Sequence, residues 1–94
     1  MNKIYEAQLR EFLMDIKEKK EFSNFKVYRA GAYIFKDQIY LFVDYEGQNL
    51  SEIVYTEKYD KLYDFTEEVK DYLLGEYSTD DLIHMLYRNI NKMI

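Results

Sequence analysis

The chain has 94 residues, of which nearly half are hydrophobic and a third are charged, and its formal net charge is −5. This length suits one globular domain, residues 1–94, with no room for a second core. The absence of cysteine excludes disulfides and thiolate metal sites. No apolar run is long enough for a signal peptide or a membrane span, so we expect a cytoplasmic protein.

The negative charge is concentrated in the second half of the chain. Residues 1–47 carry eight acids and eight bases, whereas residues 48–94 carry ten acids and five bases. Direct binding to nucleic acid or to an anionic membrane needs clustered Lys and Arg, so this distribution disfavours both. A basic protein partner is favoured instead.

Apolar spacing predicts an amphipathic helix over residues 3–20. Its apolar stripe consists of Tyr5, Leu9, Phe12, Leu13 and Ile16. Lys17, Lys19 and Lys20 fall in its last turn, where positive charge suits the carbonyl end of the helix dipole.

Residues 25–56 are rich in β-branched and aromatic side chains, with turn-like segments at 36–38 and 46–49. They predict three antiparallel strands, near 25–35, 39–45 and 50–55, although 51–59 could instead begin the next helix. In the first strand, Phe25, Val27, Tyr33 and Phe35 are expected to share a face. The small residues 30–32 indicate a bulge or the close approach of another backbone.

Two helices follow. The first is predicted to start near Asp60 and to end at Gly75, with an apolar face of Leu62, Phe65, Val69, Tyr72 and Leu73. Ser78 is the expected N-cap of the second, with Asp81 three residues later. Its apolar stripe is Leu82, Ile83, Leu86, Ile90, Met93 and Ile94. The predicted fold is α+β: an N-terminal helix, a three-stranded antiparallel sheet and two C-terminal helices.

An acidic row is the most informative feature of the sequence. Its members recur at spacings of three, four, three and four, and no Lys or Arg interrupts them: Glu57, Asp60, Asp64, Glu67 and Asp71. On one helix they would form a nearly straight anionic face. If the helix starts later, Asp64 becomes its N-cap and only Asp64, Glu67, Glu68 and Asp71 stay together.

Such a row has a structural and a functional interpretation. A negative surface can simply keep a protein soluble. However, a helix selected for stability usually interleaves Glu and Lys, and here the acids repel one another. Carboxylates one turn apart, with Cβ atoms roughly 5–6 Å from each other, can imitate successive phosphates of a nucleic acid. Tyr59, Tyr63 and Tyr77 are expected to be partly exposed and to anchor such an interface.

Catalytic and metal-binding signals are weak. His84 lies away from the apolar stripe and is expected to be a surface histidine. Asp80, Asp81 and Glu76 could attract a divalent cation, but acids at a helix start complement its dipole, which is the commoner role. We expect no enzymatic activity, no metal and no cofactor.

The element order and the acidity resemble the small Cas9-inhibiting anti-CRISPR proteins of phages, without a diagnostic motif. The resemblance implies an inhibitor that places carboxylates where a nuclease binds phosphates. It also implies a contact set that adds Glu76, Asp80 and Asp81 to the acidic row. This chain is richer in tyrosine than those proteins, so another nuclease or defence protein could be the target. An immunity protein or antitoxin would show the same surface, and a self-associating adaptor would instead use tyrosines and strand edges in a homodimer.

Overall fold

The computed structural model describes residues 4–23, 25–45 and 61–93. In chain order they form α1 (Glu6–Ser23), β1 (Val27–Phe35), β2 (Gln38–Tyr45), β3 (Lys61–Asp64), α2 (Thr66–Leu73) and α3 (Thr79–Asn91). The predicted α+β fold is therefore confirmed, with an N-terminal helix, a three-stranded antiparallel sheet and two C-terminal helices.

The start of α1 is fixed by its own side chains. Tyr5 lies just before the helix and is exposed, so it does not belong to the buried stripe predicted for it. The backbone N–H of Tyr5 donates to Gln8 Oε1 at 2.8 Å. Gln8 is the third residue of α1, so its side chain caps the helix start as in the second half of a capping box. Ile4 and Leu9, on either side of this cap, are both buried in the core and hold the entering chain against it.

The sheet has the strand order β2-β1-β3, so β1 is central. β1 pairs with β2 through a hairpin and with β3 over Gly31–Ile34. The third strand is thus Lys61–Asp64, and the strand predicted near 50–55 lies outside the described residues. The prediction that a helix starts near Asp60 is wrong, because residues 61–64 pair with the backbone of β1. A nonlocal partner here overrides the helical spacing of the side chains.

A bulge in β1 corrects the predicted assignment of its faces. The pairing register with β2 shifts between Val27 and Arg29, which moves the later residues to opposite sides from those expected. Val27, Ala30 and Ala32 belong to the core under the helices. Tyr33 lies on the other face, where its ring stacks on Tyr40 with centroids 5.3 Å apart.

Gly31 is required by the close approach of neighbouring strands. A Cβ atom at this position would lie 2.5 Å from the backbone oxygen of Tyr63 and 2.8 Å from the Phe42 ring. The expected close approach at residues 30–32 is therefore confirmed. The aromatic ring of Phe42 covers the space that a side chain on the central strand would otherwise fill.

α2 ends as predicted. Gly75 has φ +87°, its N–H donates to the Tyr72 carbonyl, and the N–H of Glu76 donates to the Asp71 carbonyl. This pair of bonds is a Schellman motif with glycine at C′. Of the predicted apolar face, Phe65, Val69 and Tyr72 are buried, whereas Leu62 is exposed on β3.

α3 also begins where the sequence predicts. The Ser78 side chain accepts a hydrogen bond from the N–H of Asp81 at 3.1 Å. Four residues of its stripe are buried in the core, where α3 packs against α1 and α2, namely Leu82, Ile83, Leu86 and Ile90. Met93 is half-buried, and Ile94 lies outside the described residues.

Candidate acidic interface

The structure divides the predicted acidic row. Glu57, Tyr59 and Asp60 lie outside the described residues. Asp64 is the last residue of β3, while Glu67 and Asp71 lie on α2. The prediction of a continuous five-residue row on one helix is therefore wrong, because the chain changes from strand to helix after Asp64.

Asp64 takes part in a structural hydrogen-bond network. Its Oδ1 accepts from the Thr66 N–H at 2.9 Å and from the Thr66 hydroxyl at 2.6 Å, and its Oδ2 is 2.9 Å from Arg29 Nη2. Partial burial raises the pKa of Asp64, but the hydrogen bonds from Thr66 and the charge of Arg29 outweigh it, so the pKa is lowered overall. The predicted N-cap role is nearly right: the carboxylate caps α2 from one residue before the observed N-cap, Phe65.

Four carboxylates remain on the surface of α2 and the turn after it. We call Glu67, Glu68, Asp71 and Glu76 the acidic surface. The side chain of Glu67 is 81% exposed, and its Oε1 lies 3.9 Å from Lys70 Nζ. Glu76 is exposed, and Glu68 and Asp71 are half-buried.

The helix dipole explains only part of the acidic surface. Glu67 and Glu68 lie in the first turn of α2, where negative charge is favourable. Asp71 and Glu76 lie at the carbonyl end, where negative charge is unfavourable. Within the described part of the chain, neither of these two carboxylates has a cation within 4 Å. Among the described residues, neither the helix dipole nor an ion pair favours the negative charge at these two positions.

Tyr63 and Tyr77 flank the acidic surface and are half-buried, in agreement with their predicted partial exposure. The Tyr63 hydroxyl accepts a hydrogen bond from Asn89 Nδ2 at 3.1 Å. Burial raises the pKa of Tyr63, the hydrogen bond from Asn89 opposes this, and the charge of Glu68 raises it further.

The remaining candidate residues have ordinary surroundings. Asp80 is paired with Arg10 at 2.6 Å, which joins α3 to α1. Asp81 lies in the first turn of α3, where its charge complements the dipole. His84 is exposed, with Arg88 Nη2 3.4 Å from its Nε2. In residues 4–23, 25–45 and 61–93, no three His, Asp or Glu side chains are grouped closely enough to hold a metal ion.

Sequence reasoning missed Thr66 and Arg29. The Thr66 hydroxyl accepts from the Ala30 N–H at 3.0 Å, and the Ala30 carbonyl accepts from the Phe65 N–H at 3.0 Å. The side chain of Thr66 thus continues the hydrogen bonding of β1 after β3 ends. A signal was present: Asp64 and Thr66 followed by two glutamates is a typical helix start.

Comparison with known proteins finds no matching family model, no matching curated protein and no matching solved structure. None of the described helices is both long and apolar enough to cross a bilayer.

Proposed function

We propose that this protein is a non-enzymatic inhibitor whose acidic surface occupies a basic, nucleic-acid-binding surface of another protein, such as a defence nuclease. The carboxylates take the positions of phosphates, and Tyr63 and Tyr77 anchor the contact.

The observation that carries the proposal is the placement of Asp71 and Glu76. Both are negative at the carbonyl end of α2, and among the described residues neither is paired with a cation. Between positions 64 and 81 there are seven acids and the single base Lys70. Charge that does not stabilise its own helix remains available to attract a basic partner and to speed its association.

The test is affinity capture from host lysate with wild-type protein and with the triple variant Glu67→Lys/Asp71→Lys/Glu76→Lys. The wild type should retain a basic nucleic-acid enzyme that high salt or added DNA releases. The variant should lose it, with affinity falling at least a hundred-fold, on the order of 3 kcal/mol for three interface charges. Asp64 is left unchanged because its carboxylate supports the fold.

A matched control is available on α1. Glu11, Asp15 and Glu18 are exposed acids at spacings of four and three, and reversing them changes the net charge by the same amount. This control should bind like the wild type. Equal loss of partner binding in both variants would mean that binding depends only on net charge. Normal binding by the α2 variant would refute the proposal. Capture of a small toxin would favour an immunity protein, and a salt-insensitive homodimer would favour self-association.

A further inference from the structure

A groove of about 400 Å³ lies where the C-terminal ends of α1 and α2 approach the start of β1. Phe25 and Val27 form its buried floor. Tyr28 and Leu74 stand at its rim, where they are 52% and 77% exposed. Two large apolar side chains exposed beside an apolar floor are typical of a binding surface rather than of a solvated one.

Among the described residues, the charged side chains that line this groove are all lysines: Lys20, Lys26 and Lys70. This is unusual in a chain whose net charge is −5. The carbonyl ends of α1 and α2 account for Lys20 and Lys70, which lie in the last turns of those helices. They do not account for Lys26, which precedes β1.

These lysines keep much of their hydrogen-bonding capacity. Lys20 Nζ donates to the Phe25 carbonyl at 3.1 Å, which holds it over the groove and leaves two N–H groups. Lys70 lies 3.9 Å from Glu67, too far for a strong hydrogen bond. In the described ranges, no carboxylate comes within 4 Å of the Lys20 or Lys26 ammonium.

We propose that this groove is a second binding site, separate from the acidic surface, for a short acidic peptide segment that presents a large apolar side chain between carboxylates. The apolar side chain would lie on Phe25 and Val27 against Leu74, and the flanking carboxylates would meet Lys20, Lys26 and Lys70. Charge complementarity indicates the class of ligand. Three lysines around one apolar floor favour a peptide that carries several carboxylates beside an apolar side chain. A second copy of the chain fits less well, because two bodies of net charge −5 repel each other.

Fluorescence anisotropy tests the proposal with a defined probe. The probe is a short fluorescein-labelled peptide in which glutamates flank a leucine and a phenylalanine, and its partner peptide carries glutamines instead. The protein should bind the glutamate peptide at least ten-fold more tightly, and salt should weaken that binding. Amide shifts in a titration followed by NMR should cluster at residues 25–28 and 73–74.

Variants locate the site. The double variant Lys26→Glu/Lys70→Glu should weaken binding at least ten-fold, and Leu74→Ser should weaken it several-fold. The matched control Lys36→Glu/Lys92→Glu makes the same charge change outside the groove and should have little effect. The triple reversal on the acidic surface should not weaken peptide binding, so this proposal and the proposed function fail independently.

Three results would overturn the proposal. The first is equal affinity for the glutamate and glutamine peptides. The second is equal weakening by the groove variant and by its matched control. The third is a wild-type homodimer that Lys26→Glu/Lys70→Glu dissociates, since a second copy would then be the occupant.

Discussion

At the scale of single residues, Thr66 joins the sheet to α2. It is only 8% exposed, and its hydroxyl accepts the hydrogen bond of the Ala30 N–H. Thr66→Val keeps the shape but leaves that N–H buried without this acceptor, which should lower the free energy of unfolding by about 2 kcal/mol. Urea denaturation followed by circular dichroism measures the loss. Thr66→Ser keeps the hydroxyl and should lower the free energy of unfolding by about half as much. If the two variants are equally stable, the hydroxyl has no structural role.

Asp64 gives stability a pH dependence of known sign. Because its pKa is lowered in the folded state, its contribution is complete above the unfolded pKa, roughly 3.9, and is lost as the pH falls through the lower folded pKa. Asp64→Asn should therefore reduce stability at pH 7 by only about 1 kcal/mol, since solvent screens a half-exposed ion pair. Unfolding measured in urea should show the difference in stability between the two proteins shrinking as the pH falls below the unfolded pKa of Asp64. The exposed Asp15→Asn is the control, and a difference that grows with acid would contradict the assignment.

At the scale of elements, the two-residue turn of the hairpin between β1 and β2 does not have the residues that its backbone conformation favours. Lys36 and Asp37 have φ angles of 51° and 62°, in the left-handed region. Such a type I′ turn favours Asn-Gly, so Lys36→Asn/Asp37→Gly should add about 0.5–1 kcal/mol of stability. The rise in the thermal midpoint, seen by circular dichroism, reports it. Asp37→Val should have the opposite effect, and insensitivity to both changes would argue against this turn.

The elements also show what local sequence can predict. α1, β2 and α3 follow from side-chain periodicity, the end of α2 follows from Gly75, and the start of α3 follows from Ser78. β3 could not be found this way, because Lys61–Asp64 is a strand only through its pairing with Gly31–Ile34, thirty residues earlier. The acidic row failed for the same reason. Its α2 members were correctly placed, whereas Asp64 is held by Arg29, a partner that no local pattern identifies.

At the scale of the whole molecule, the uneven charge should make stability depend on salt. Repulsion among the acids of α2 and α3 is unscreened at 0.01 M salt, where the Debye length is about 30 Å, and largely screened at 0.15 M, where it is about 8 Å. The wild-type thermal midpoint should therefore rise by roughly 2–4 °C between these conditions, equivalent to about half a kcal/mol.

The two triple reversals separate local charge from net charge. Each replaces three acids by lysine and brings the net charge from −5 to +1. Reversal of Glu67, Asp71 and Glu76 removes repulsion where acids are dense and should abolish most of the salt effect. Reversal of Glu11, Asp15 and Glu18 places new lysines among Lys17, Lys19 and Lys20, and should leave the repulsion around α2 intact. Thermal unfolding at both salt concentrations distinguishes them: the same salt dependence in both variants would show that net charge governs stability, and that the acidic surface is not a centre of self-repulsion.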